Sequence, residues 1–174
     1  MNTLSVMIVA ATFAVAMPVA AQAADPTAPC AESSEYTRLG LSGVHEDVTP
    51  SSTLSWPYIV LDEEGSGNYP EESAVRFRYR VDVSGSSAKP LAQTADVRIA
   101  LSWDNTSDYD LYVYDGNGEL LSAGDQSNIL AVGPGELVFL PQVPHCTDLQ
   151  VDIVNYLGLP TSEMALDTTL GDLE

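Results

Sequence analysis

The residues able to do chemistry fall into a few groups. The densest is Asp104-Asn105-Thr106-Ser107-Asp108-Tyr109-Asp110, three carboxylates and an amide in one short stretch. A hard cation such as calcium collects about six to eight oxygens from carboxylates, carbonyls and water, and clustered carboxylates repel each other until one arrives. Asp104, Asp108 and Asp110 are therefore candidate calcium ligands. The run lacks the central Gly and distal Glu of an EF-hand loop, as does Asp115-Gly116-Asn117-Gly118-Glu119. The competing reading has Asp108 and Asp110 capping a turn by accepting backbone N–H bonds.

Cys30, Cys146 and the neighbouring His145 offer a second chemistry. A thiol beside an imidazole suits a nucleophile or a metal, yet an even cysteine pair in an exported chain is by default a disulfide. Pairing Cys30 with Cys146 closes a circuit of 116 residues and removes the nucleophile. The only other histidine is His45, in His45-Glu46-Asp47. No HExxH, G-x-S-x-G or glycine-rich phosphate loop accompanies either, and the chain reads as a non-enzyme. A hydrolase built on an unrecognised carboxylate pair is the remaining catalytic alternative, since carboxylate separation is a property of the fold.

Tyr112 and Tyr114 share one strand face with Asp110, opposite Leu111 and Val113. With Leu111 and Val113 in the core, the tyrosines face outward. An exposed pair could stack on sugar rings or a protein polymer; ordinary cross-strand aromatic packing is the alternative. Arg76, Arg78 and Arg80 form a basic stripe expected to meet neighbouring carboxylates, Asp82 and Asp96 being candidates, or to bind an acidic polymer.

The elements holding these groups sit in an acidic chain. Its 174 residues carry 25 Asp and Glu against 6 Lys and Arg, a net charge of −19. All six cations precede position 99, so residues 99–174 carry acids alone. Polyanions are bound by Lys/Arg clusters, which excludes nucleic acid and anionic membrane surfaces as partners. With 45% hydrophobic residues the chain can build a core. Residues 5–20 form an apolar run, followed by the small-x-small pattern Ala21-Gln22-Ala23; this reads as a signal peptide spanning 1–24. The run is shorter than the roughly 20 apolar residues of a membrane span. After cleavage no span is expected, and the location is secreted or periplasmic.

Residues 25–48 are polar and read as an irregular surface strap tied down by Cys30. The domain proper is expected over 49–174. Val75, Phe77, Tyr79, Val81 and Val83 alternate with the arginines, and Val97, Ile99, Leu101 and Trp103 alternate with polar residues, the period of half-buried strands. Further strands are expected at 54–61, 111–114, 137–140, 149–156 and 164–170, separated by Gly, Pro and Asx turns. No sustained helical stripe occurs in the mature chain. The fold class is all-β, a two-sheet antiparallel sandwich of jelly-roll type with one disulfide.

One passage is more specific. Residues 101–121 run from an apolar strand ending at Trp103 into Ser107, Asp108, Asp110, Leu111, Tyr112, Val113 and Tyr114, then Asp115 and Gly118. This resembles the signature of bacterial pre-peptidase C-terminal domains, the jelly-roll sandwiches appended to secreted proteases. Residues 149–156 are similar to that family's penultimate strand, and 164–170 fit the closing one; the likeness covers about 97–170. At the penultimate strand's usual Gly-x-Tyr this chain has His145-Cys146-Thr147-Asp148. The resemblance implies a jelly-roll accessory domain, in a family where some members bind calcium. The function expected is thus an exported, non-catalytic binding or accessory module for an extracellular polymer or secreted protein. The alternative of another class is a structural acidic exoprotein without a specific ligand.

Overall fold

A computed structural model of the chain describes residues 25, 27–48, 69, 74–86, 89, 91–104, 108–124, 135–157 and 163–173. Within them lie nine strands: β1 (Thr37–Leu39), β2 (Val44–Asp47), β3 (Ala74–Val81), β4 (Thr94–Trp103), β5 (Asp108–Asp115), β6 (Leu120–Ala123), β7 (Gly135–Pro144), β8 (Asp148–Leu157) and β9 (Met164–Leu173). They form a five-stranded sheet in the order β1-β3-β8-β5-β6 and a four-stranded sheet in the order β2-β9-β4-β7. Omitting β1 leaves eight strands in jelly-roll order. All pairings are antiparallel except β1 with β3, which is parallel.

Period-two alternation decides which side chains meet between the sheets. On β4, Ala95, Val97, Ile99, Leu101 and Trp103 are buried while Arg98 is exposed. They pack against Tyr79 and Val81 of β3, Leu111 and Val113 of β5, Val151 and Ile153 of β8 and Leu166 of β9. Trp103 meets Tyr109 edge-on, with ring centroids 5.3 Å apart. Burying each large aliphatic side chain contributes about 1.5–3 kcal/mol. The expected strand at 54–61 lies outside the described residues.

The stretch 25–48 differs from the irregular strap expected. It supplies β1 to the edge of one sheet and β2 to the edge of the other. Both are very short, and strands of three or four residues leave little periodicity in a sequence. The Cys30–Cys146 disulfide ties this segment to the β7–β8 turn, with Cα atoms 5.4 Å apart. In the chain-entropy account, closing so long a loop stabilises by about 4–5 kcal/mol. β7 and β9 each place two residues opposite Asp96 of β4, so both neighbours bulge there and the register shifts. There the Asp96 carboxylate accepts the Gln142 backbone N–H at 2.9 Å.

Between the sheets, Tyr79 Oη and Thr168 Oγ1 are buried without a hydrogen-bond partner among the described residues. Burial pushes the Tyr79 phenol up to about 12, with the neighbouring Thr168 hydroxyl pulling the other way. A hydroxyl desolvated without a strong hydrogen bond costs stability. Tyr79→Phe should therefore unfold in urea within about 0.5 kcal/mol of the parent or above it; a loss beyond about 1 kcal/mol would reveal a hydrogen bond worth keeping.

Candidate functional site

The outer face of the five-stranded sheet gathers most of the polar and aromatic side chains singled out by the sequence. β8 runs down its middle, so Asp152 stands opposite both Arg76 on β3 and Tyr112 on β5. Arg76 donates from Nε to Oδ1 and from Nη2 to Oδ2 of Asp152, both at 2.8 Å. That fork is the strongest form of a carboxylate–guanidinium pair. Tyr69 Oη donates to the same Oδ2 at 2.8 Å. Having spent its proton there, Tyr69 accepts from Tyr114 Oη at 2.9 Å. The Tyr69 ring lies 5.0 Å from that of Tyr112, whose hydroxyl donates to Asp110 Oδ2 at 3.0 Å. Burial first, then hydrogen bonding and the carboxylate charges of Asp152 or Asp110, push the Tyr69 and Tyr112 phenols up.

Two expectations change here. Leu111 and Val113 are core and the tyrosines do point outward, yet Tyr112 is only 5% exposed and Tyr114 half-buried. Tyr69, arriving from a distant part of the chain, covers Tyr112. The partners of the arginine stripe are also different. Arg76 takes Asp152, and Arg80 takes Asp148 through Nε at 2.6 Å and Nη2 at 2.8 Å. Asp82 instead pairs with Arg38 at 2.6 Å, and Asp96 accepts the Gln142 N–H at the β7 bulge. Arg80 also donates to the Ala31 carbonyl at 2.7 Å and lies over the Tyr36 ring.

A second constellation closes the β3 end of the same sheet. Asp82 is fully buried. It accepts the Cys30 and Ser84 backbone N–H groups at 3.3 and 2.9 Å and the Arg38 guanidinium. Burial opposes its charge, but bonds from Ser84 and Cys30 and the charge of Arg38 outweigh burial and hold its carboxyl below the usual range. His145 is buried beside it. Its Nδ1 accepts the Val83 N–H at 3.2 Å, and Nε2 donates to the Ala28 carbonyl at 3.1 Å, which fixes the tautomer with its proton on Nε2. Cys30, His145 and Cys146 bring metal-capable atoms within 4.8 Å of one another. The two sulfurs are bonded to each other, so neither a thiolate nucleophile nor a thiolate ligand remains. A cleft of about 430 Å³ opens alongside, lined by Tyr36, Arg38, Arg80, Asp82 and the segment from Cys30 to Ser34.

The other candidates are dispersed. His45 lies exposed between Asp167, 2.6 Å from Nδ1, and Asp47, 3.3 Å from Nε2; the Asp167 hydrogen bond raises its pKa. Asp104 is exposed, Asp108 half-buried and Asp110 buried, and residues 105–107 between them lie outside the described residues. Among the described residues these three carboxylates are not part of a converging three-ligand group. Asp115 caps its turn, its Oδ1 accepting the Asn117 and Glu119 N–H groups at 2.8 and 2.9 Å. Three participants went unrecognised in the sequence: Tyr69, Asp148 and Asp152. A signal existed for two of them. Asp148, Gln150 and Asp152 repeat at the spacing of Arg76, Arg78 and Arg80, so antiparallel pairing sets acid against base.

What the fold and these sites define is an all-β jelly-roll sandwich whose polar groups are mostly joined to one another. Neither protein-family models nor curated proteins provide a match. Among solved structures, the chain is similar to the crystal structure of the pre-peptidase C-terminal domain of collagenase from Bacillus anthracis. The match covers 81% of this chain and 99% of that one, with a TM-score of 0.42 and 8% identity. That domain represents the family resembled by residues 101–121.

The depressed Asp82 carboxyl has a pH consequence. A group whose folded pKa lies below its unfolded value of about 3.9 stabilises fully above that value, and the contribution disappears as pH falls through the folded pKa. Asp82→Asn should therefore be less stable than the parent in urea at pH 7, with the gap narrowing below about pH 4. A gap of constant size down to pH 2 would contradict the assignment.

Proposed function

We propose that the chain is an exported, non-catalytic accessory module that binds an extracellular polymer or a secreted protein. The observation that carries the non-catalytic part is the use made of its acid–base groups. Both ring nitrogens of His145 are engaged with backbone, Asp82 and Asp152 are locked to arginines, and the cysteines are joined. Groups consumed in holding the fold are not free to move protons for a substrate. The disulfide supports export, because such bonds persist in oxidising compartments; residues 1–24 read as the leader.

For binding, Tyr112 and Tyr114 are the proposed contact residues. Tyr114 reaches solvent, and Tyr112 supports the Tyr69 ring beside it. Retention on insoluble collagen, cellulose or chitin is the direct test. Tyr114→Ala should weaken it about tenfold, a change of about 1.4 kcal/mol, whereas Tyr114→Phe, which loses the Tyr69 hydrogen bond but keeps the ring, should retain binding. Undiminished retention would remove the tyrosine face from the account. Turnover of casein or aryl glycosides by the purified intact chain would overturn the non-catalytic reading.

Calcium at Asp104, Asp108 and Asp110 belongs to the same proposal. Ligand binding to the folded state alone raises stability by about 2.7 kcal/mol at about a hundred times Kd. For a domain of this size that is a rise of several degrees between EDTA and millimolar calcium, expected to vanish in Asp108→Asn. An unchanged melting temperature would leave these aspartates as turn residues.

A further inference from the structure

We propose that Asn117 is a covalent modification site, where the side-chain amide is lost spontaneously to give aspartate and isoaspartate, at a rate that the Asp115 side chain restrains. The inference stands apart from the binding-module reading.

The chemistry belongs to one dipeptide. A backbone nitrogen that follows asparagine can attack the side-chain Cγ of that asparagine. Its proton goes to hydroxide, the new C–N bond closes a succinimide ring, and the Cγ–Nδ2 bond breaks to release ammonia. Water then opens the ring at one carbonyl or the other, leaving aspartate or its isomer with the backbone routed through the side chain. A side chain on the following residue crowds the attack, so glycine is the permissive follower. Of the six asparagines in the chain, Asn117 alone precedes glycine; the others precede Thr, Tyr or Ile.

The fold leaves this dipeptide room to react. Residues 116–120 are exposed and connect β5 to β6. Gly118 has a φ of 84°, and a Cβ built there would meet nothing within 4 Å. β6 has four residues and pairs with β5 at Ala123, Ser122 and Leu120, with a register shift before Leu120. An end so lightly held opens locally, without global unfolding.

One residue does most of the holding. Asp115 Oδ1 accepts the Asn117 and Glu119 N–H groups, and its Oδ2 accepts from Asn117 Nδ2 at 3.1 Å. The Gly118 N–H, which carries the attacking nitrogen, donates to the Asp115 carbonyl at 3.1 Å. The bonds from Glu119 and Asn117 hold the Asp115 carboxyl below its usual range, so it stays an acceptor at neutral pH. In the closed turn the amide and its attacker are therefore both tied to Asp115. Reaction proceeds from the opened turn, and Asp115 sets how often that form is visited.

The product has its own consequence. A carboxylate would stand where the Asn117 amide donates to Asp115, turning an attraction into a repulsion within a chain already at −19. Isoaspartate also lengthens the backbone inside the turn. Both loosen β6 from β5.

The test incubates the purified chain, its Asp115→Ala variant and a synthetic peptide of residues 113–121 in mildly alkaline buffer, and maps ammonia loss by peptide mass spectrometry. Asn117 should convert before any other asparagine, several times faster in Asp115→Ala than in the parent, and fastest in the peptide. Conversion first at another asparagine, equal rates in parent and Asp115→Ala, or equal rates in parent and peptide would each overturn the inference. Hydrogen exchange on Asn117→Asp reads the consequence separately. Amides of residues 120–123 should exchange severalfold faster than in the parent, and unchanged protection would contradict the repulsion at Asp115.

Discussion

The antiparallel pairing of β3 with β8 is the contact on which the rest of the sandwich depends. All six cations of the chain precede position 99, so a basic side chain can meet an acid of the later half only across a long loop. Arg76–Asp152 and Arg80–Asp148 close sequence separations of 76 and 68 residues. The pairs also set register. Sliding β3 by one residue would turn Tyr79 and Val81 outward and drive three arginines into the core. Asp152 is almost completely buried, so its contribution is better stated as a penalty avoided: a buried carboxylate robbed of its guanidinium is expensive, even where the intact pair adds little net stability.

Other parts of the structure continue this ladder. At its β3 end the chain passes directly into Asp82, which gathers Arg38 and the Cys30 backbone N–H around one buried charge. Cys146 N–H donates to the Val81 carbonyl, and Val81 N–H donates to Thr147, so the disulfide clamps the strand junction itself. On the other side of β8, Tyr112, Tyr114 and Tyr69 are arranged around the same Asp152 that Arg76 holds. Acids, aromatic rings and a histidine that in isolation suggest reactivity are parts of one scaffold. This is the physical content of the non-catalytic reading.

Much of that fold was legible in the residues. Alternation over 75–83 and 97–103 identified the inward-facing side chains, because a period of two is all a half-buried strand requires. The Leu111–Val113 core face and the Cys30–Cys146 pairing were legible for the same local or compartmental reasons. Illegible parts depend on nonlocal geometry. Tyr112 is buried because Tyr69 crosses over it, and no local pattern announces a cover 43 residues upstream in a segment of its own. The arginine stripe was matched to Asp82 and Asp96 for want of a known neighbour; once β8 is placed beside β3, the matching spacing of Asp148 and Asp152 makes the choice. β1 and β2 are too short to show a period, and their strand character comes from docking onto β3 and β9.

The claim that Arg76 and Arg80 are structural, and thus spent, is tested most directly by a double-mutant cycle on Arg76 and Asp152. Arg76→Met, Asp152→Leu and the double variant would be unfolded in urea beside the parent. A structural pair predicts strong non-additivity, at least about 1 kcal/mol, with the double variant more stable than the sum of the single losses implies. Additivity within about 0.5 kcal/mol would contradict the account and return Arg76 to the pool of side chains free to meet a ligand.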